Sequence, residues 1–176
     1  MRTARVWRRV LGVEHTVIES VELETDGRGQ EVLVARVRVK AGAARRCSRC
    51  QRRCPGYDSS PAPRRWRGLD LGTTQVYLEA TTSRVSCREH GVVVAAVPWA
   101  RHGAGHTRFF DDQVAWLAVA CSKTAVTELM RIAWRTVGKI ITLIKCRKSM
   151  GIPGCIAWSL IGPDDHEIAT SQVFTF

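Results

Sequence analysis

Two short turns, each carrying a pair of potential metal ligands, constrain this chain more than anything else in it. Cys47-Ser48-Arg49-Cys50 is a C-x-x-C and Cys87-Arg88-Glu89-His90 is a C-x-x-H. Two residues apart on a tight turn, both side chains of such a pair can point at one ion. Two pairs complete a tetrahedral Cys3His site of the closed, structural type, for which Zn2+ is the expected ion. Residues 51–86 lie between the pairs, too many for a compact finger. The two knuckles are therefore expected on separate hairpins, as in a ribbon. Cys54 stays open as a replacement for Cys50 beside Cys47. The metal-free alternative makes Cys47 and Cys50 surface thiols and Cys87 a small packed hydrophobe. Cys121 reads as core on an apolar helix face, and Cys146 and Cys155 have no ligand spacing. His102 and His106 read as solvent-exposed loop residues. A redox dithiol would need a strand-to-helix context, which the arginines of 45–53 do not provide.

The chain of 176 residues has room for one domain or two small ones. Small modules bury proportionally little surface, so a structural ion would matter to folding. The formal net charge of +11 attracts polyanions, nucleic acid before anionic membrane. Residues 45–67 hold eight arginines and one acid, Asp58. No stretch approaches the roughly 18 apolar residues of a membrane span, and no membrane partner is expected. The basic start lacks the apolar run of a secretory signal, which points to a reducing cytoplasm where cysteines more often bind metal than form disulfides.

Four stretches differ in character. Residues 1–45 read as N-terminal strands, with Val37 and Val39 alternating with Arg36 and Arg38 after the turn Asp26-Gly27-Arg28-Gly29. Residues 46–106 form the zinc-binding part, with short strands expected at 75–82 and 91–97. Residues 107–146 adopt a helical period. Phe110, Val114, Leu117, Ala118 and Cys121 make one stripe, with Thr107 as N-cap and Asp111 and Asp112 near the positive helix end. Ser122 can cap a second helix bearing Val126, Leu129 and Met130. A third follows Ile132 with Val137, Ile140, Ile141 and Ile144 on one face. Residues 147–176 lose all periodicity. The expected class is α+β: a small β-rich zinc-binding domain followed by a three-helix helix-turn-helix domain.

Two segments suit nucleic acid. In the stretch Pro63 to Asp70, read as a loop, Arg64, Arg65 and Arg67 can pair with phosphates. Trp66 is expected to fill a small core around the metal. In the third helix, Arg135, Lys139 and Thr142 fall opposite the apolar face and Thr136 flanks them, a set of donors and a methyl that suits a major groove. The same helices would also serve as a plain trihelical core. Ala133 is a poor N-cap, and the turn lacks the usual glycine.

The ordered series of motifs resembles the first half of insertion-sequence transposases of the ISL3 type. It comprises Cys47-Ser48-Arg49-Cys50, Arg65-Trp66-Arg67-Gly68-Leu69-Asp70-Leu71 and Val85-Ser86-Cys87-Arg88-Glu89-His90-Gly91. Val97-Pro98-Trp99-Ala100, His106-Thr107-Arg108-Phe109, Ser122-Lys123-Thr124-Ala125-Val126 and Trp134-Arg135-Thr136-Val137-Gly138 follow. The resemblance covers residues 5–142. It implies Cys47, Cys50, Cys87 and His90 as zinc ligands and Arg135, Thr136 and Lys139 on a recognition helix. Double-stranded DNA is the implied partner, and terminal inverted repeats the implied target. Such transposases continue into an RNase-H-like domain whose three separated acids hold two divalent metals. Here the acids after Ile144 are Asp164, Asp165 and Glu167, bunched together, and the tail from Lys145 no longer resembles the family. A frameshift or a fusion would explain this.

The resulting expectation is a DNA-binding transposase fragment without catalytic residues, acting in the cytoplasm at the nucleoid. It would form a homo-oligomer or associate with a full-length transposase. The alternatives are a zinc-ribbon, helix-turn-helix transcription regulator and an active transposase completed by another chain.

Overall fold

The computed structural model describes residues 2–148. The expected acids Asp164, Asp165 and Glu167 lie outside those residues. The described chain is α+β and divides after Gln113, inside one helix, into two compact units.

The first unit opens with α1 (Arg2–Val10), an element the sequence reading did not assign. Ala4, Trp7 and Leu11 follow one another at helical spacing, and all three pack on the sheet core. Gly12 ends the helix in the left-handed conformation, φ 62°. Its N–H bonds to the carbonyl of Arg9, and that of Val13 to the carbonyl of Arg8. This is the Schellman pattern that favours glycine. A Cβ on Gly12 would stand 2.7 Å from the Phe109 ring, so bulk is excluded there as well.

β1 (Thr16–Thr25) and β2 (Glu31–Val39) form the expected hairpin, turned on Asp26, whose carboxylate accepts from the amides of Arg28 and Gln30. β3 (Gly56–Arg67), β4 (Gln75–Cys87) and β5 (Gly91–Val94) complete one sheet, ordered β1-β2-β4-β3 with β5 also on β4. β2 and β4 run parallel, Ala35 opposite Leu78. That pairing crosses the boundary expected at 45/46, so the N-terminal hairpin and the zinc-binding part share one sheet.

One face of the sheet is apolar. Ile18, Ala35, Val37, Leu78 and Ala80 meet Trp66, Trp99 and Ala100 there, the two indoles edge to face at 5.6 Å. Trp66 thus fills the sheet core, rather than a core around the metal as expected. The other face is charged. Arg36 reaches Glu22, Glu24 and Glu79, and Arg65 reaches Glu24 and Glu79. The register places Glu79 opposite both arginines, so opposite charges stand side by side across the strands.

Thr107 caps α2 (Arg108–Ala120), its Oγ1 accepting from the amide of Phe110. In the second unit Ser122 caps α3 (Lys123–Met130) through the Ala125 amide, and α4 (Trp134–Lys148) follows. The glycine absent from the turn is replaced by Arg131 in the left-handed conformation, φ 50°. Val114, Ala115, Leu117, Ala118, Val126, Met130, Val137, Ile140 and Ile144 are the second unit's buried positions among the described residues. Leu129, expected on the apolar face of α3, is 63% exposed, and Cys121 is half-buried rather than core.

Candidate functional site

The two knuckles come together at neighbouring hairpin tips. The first lies in a turn whose flanks pair, Arg46 opposite Arg53. The amide of Cys47 donates to the carbonyl of Arg52, and the amide of Gln51 to that of Cys47. The second is the β4–β5 turn, closed by Cys87 opposite Gly91, whose φ of 66° the tight reversal requires. A bridge between Cys47 and Ala95 and a bond from the Ala96 amide to the Arg46 carbonyl join the tips.

The donor atoms of Cys47, Cys50, Cys87 and His90 all lie within 4.8 Å of one another. Cys50 Sγ is 3.7 Å from Cys87 Sγ, and His90 Nδ1 is 3.6 Å from Cys87 Sγ and 3.8 Å from Cys47 Sγ. Donors at zinc distances, about 2.3 Å for sulfur and 2.0 Å for nitrogen, stand roughly 3.5–3.8 Å apart around a tetrahedron. The gap therefore has the size of a four-coordinate ion.

The chemistry of the donors agrees. The hydrogen bond with the His90 ring draws the Cys87 thiol down to about 6, toward the thiolate that a metal needs. At Cys50 the Arg52 amide favours the thiolate, but burial and the neighbouring sulfurs of Cys47 and Cys87 outweigh it and raise the pKa. Three sulfurs this close cannot all ionise comfortably without a cation among them, and a divalent ion removes that conflict. The amide of Arg49 also points at Cys47 Sγ, 3.4 Å away, a donor suited to a metal-bound thiolate. Cys54 is buried nearby, but its thiol donates to the carbonyl of Arg52 and it stands outside the four-donor cluster. With four protein donors, no position remains for a reactive water, so the site is structural.

The three arginines expected to meet phosphate are placed otherwise. They lie on the edge strand β3, not in a loop. Arg64 donates to the carbonyl of Ala104 and covers the Trp66 ring. Arg65 joins the cross-strand ion pairs. Arg67 is 8% exposed, pairs with Asp70 at 2.8 Å and lies over the Phe110 ring. Arg65 and Arg67 thus have carboxylate partners within the first unit.

Near Phe110 the structure holds a buried ionic cluster that the sequence did not announce as a cluster. Asp111 is fully buried and 3.1 Å from Arg101, which also reaches Asp112. Burial pushes Asp111 up to about 6 against the downward pull of Arg101. His106, read as exposed, stacks on Phe110 with its Nδ1 3.6 Å from Asp111. Burial, and then the charge of Arg67, lower its pKa and keep it neutral.

α4 has two faces. Val137, Ile140 and Ile144 are buried, whereas Arg135, Lys139 and Thr142 are exposed and Thr136 is half-buried between them. The Thr142 hydroxyl donates to the Gly138 carbonyl at the exposed surface.

Comparison with known proteins agrees with both features. Residues 43–90 match the zinc-finger of transposase IS204/IS1001/IS1096/IS1165, and residues 95–144 match the helix-turn-helix domain of transposase family ISL3. The chain is 57% identical over 146 residues to the transposase for insertion sequence element IS1557 of two Mycobacterium tuberculosis strains. That alignment covers 82% of this chain and 33% of the relatives, so the chain spans about a third of the length of the curated relatives it matches. No solved structure matches it. Residues 43–90 and 95–144 are thus a zinc-finger and a helix-turn-helix domain of the kind found in ISL3-type insertion-sequence transposases.

Proposed function

We propose that this chain binds duplex DNA at the terminal inverted repeats of an insertion sequence, without cutting or joining it. On this reading α4 lies in the major groove, with Arg135, Thr136, Lys139 and Thr142 toward the bases and phosphates, and a structural Zn2+ holds the ribbon. The nucleoid DNA of the cytoplasm is then its place of action. The observation that carries the reading is the two-faced α4 inside the segment that matches a transposase helix-turn-helix. The buried face fixes the helix, and the opposite face offers a guanidinium, an ammonium and a threonine methyl, the groups that read guanine edges and thymine. Zinc is the ion of choice because three thiolates and an imidazole in tetrahedral array suit it.

The test is selection of a preferred duplex from a random library by the metal-loaded chain, followed by alignment to the ends of the element. Arg135→Ala should cut the preference for the selected duplex by about 1–3 kcal/mol, roughly 5- to 150-fold. A library that yields no preferred duplex, or a preference untouched by Arg135→Ala and Lys139→Ala, would refute it.

A further inference from the structure

Two groups of arginines in the first unit contrast, and only one is neutralised. On the sheet and beside α2, Arg36, Arg38, Arg65, Arg67, Arg84 and Arg101 each meet a carboxylate. The knuckles differ. Residues 45–54 and 87–91 contain Arg45, Arg46, Arg49, Arg52, Arg53 and Arg88 against one acid, Glu89. All six arginines are exposed. Glu89 lies 3.6 Å from Arg52, and Arg46 donates to the Gln51 carbonyl. Among the described residues, Arg45, Arg49, Arg53 and Arg88 have no carboxylate partner.

A bound Zn2+ with three thiolates and a neutral imidazole has a net charge of about −1, so it offsets a small part of this excess. The pairing of Arg46 directly opposite Arg53 sets like charges across a two-stranded turn, an arrangement that weakens pairing on its own. An anion outside the ribbon would relieve both the excess and the repulsion.

We propose that the zinc ribbon is a second, sequence-independent DNA-binding surface, in which Arg45, Arg49, Arg53 and Arg88 contact backbone phosphates. The inference rests on the reading of the chain as a duplex-DNA binder. It divides the labour between the domains: the ribbon supplies salt-sensitive affinity, and α4 supplies sequence preference. Arginine suits the task because its planar fork matches phosphate oxygens and its charge persists at every physiological pH. It also moves the phosphate contacts from β3 to the knuckles.

The experiment uses the full metal-loaded chain, a fluorescent duplex of mixed sequence and the duplex selected from the library, with affinities measured across a salt series. A fourfold variant, R45Q/R49Q/R53Q/R88Q, should bind both duplexes more weakly by the same factor. Its plot of log K against log salt should flatten by up to about 3.6, at about 0.9 for each lost contact. The preference between duplexes should not move. An unchanged slope overturns the proposal, as does a loss confined to the selected duplex, which would make these arginines base readers. Acidic peptide capturing the wild type but not the variant, with the DNA slope unchanged, would reassign the surface to a protein partner and also overturn it. Zinc content verifies the ribbon, and should the fourfold variant lose metal, R49Q/R88Q carries the test with an expected flattening of about half that size. Loss of preference in the α4 variants is a separate readout, so failure of the groove reading and failure of the ribbon surface are told apart.

Discussion

Single residues decide whether the knuckles form a metal site, and Cys54 is the residue that discriminates. It is buried beside the donors but bonded to a carbonyl, so Cys54→Ala should retain the metal of the wild type, whereas Cys87→Ala should lose it. Elemental analysis of the purified variants reads this directly, and loss of zinc from Cys54→Ala would put Cys54 in the ligand set. Asp111 provides a second residue-scale outcome. Its folded-state pKa, about 6, lies above the ordinary aspartate value of 3.8, so the folded chain holds that proton more tightly than the unfolded one. Ionisation therefore costs stability: the cost is absent below about pH 4 and complete above about pH 6. Relative to Asp111→Asn, the wild type should lose up to about 3 kcal/mol over that window. Urea titrations of the two proteins showing a constant difference from pH 4 to pH 7 would contradict it. The neutral state of His106 acts in the opposite direction in acid, which is why the comparison between the two proteins, and not the wild-type curve alone, is the measurement.

At the scale of elements, α4 starts poorly. The amides of Thr136 and Val137 bond to the carbonyl of Ala133, which occupies the cap position with no side-chain acceptor to offer. Ala133→Ser should stabilise the helical unit by about 0.5–2 kcal/mol, seen as a higher helical melting midpoint; an unchanged midpoint would mean the start of α4 is satisfied another way. The weak cap was readable in the sequence, as were Ser122, Thr107 and the β1–β2 hairpin, because each is a signal within a few residues. The four metal donors were readable for the same reason. β3 was not: Pro61 and Pro63 argue against a strand, and they are tolerated because β3 is the last strand of the sheet, with no further partner to require their missing amides. The parallel pairing of β2 with β4 has no local signature either. The role of Arg65 followed those pairings, since the acids that hold it stand on β1 and β4. α1 did carry a signal, the Ala4, Trp7, Leu11 spacing ending at Gly12, which its many arginines obscured.

For the whole molecule the question is whether a chain with these two domains can also break DNA. Strand transfer by two metals needs carboxylates from separate elements converging on ions about 4 Å apart. Among the described residues, the only group of three or more His, Cys, Asp and Glu donors close enough to hold an ion is Cys47, Cys50, Cys87 and His90. That group has four protein ligands and no open position. Glu22, Glu24, Asp58, Glu79, Asp111 and Asp112 are taken up by arginines. A carboxylate neutralised by a guanidinium at about 3 Å would have to lose that partner before it could coordinate magnesium. The relatives are three times as long as the aligned segment, so their chemistry need not reside in it. The expected outcome is retention of the selected duplex in a gel shift, with no nicking or joining in magnesium or manganese. Nicking that disappears with Asp164→Ala or Asp165→Ala would show that the tail supplies a metal site and would overturn the expectation. On the proposed function a chain bound without cleavage would occupy transposon ends, so adding it to an intact transposase should slow transposition in proportion to the ends it covers; an unchanged rate at saturating chain would remove the competition.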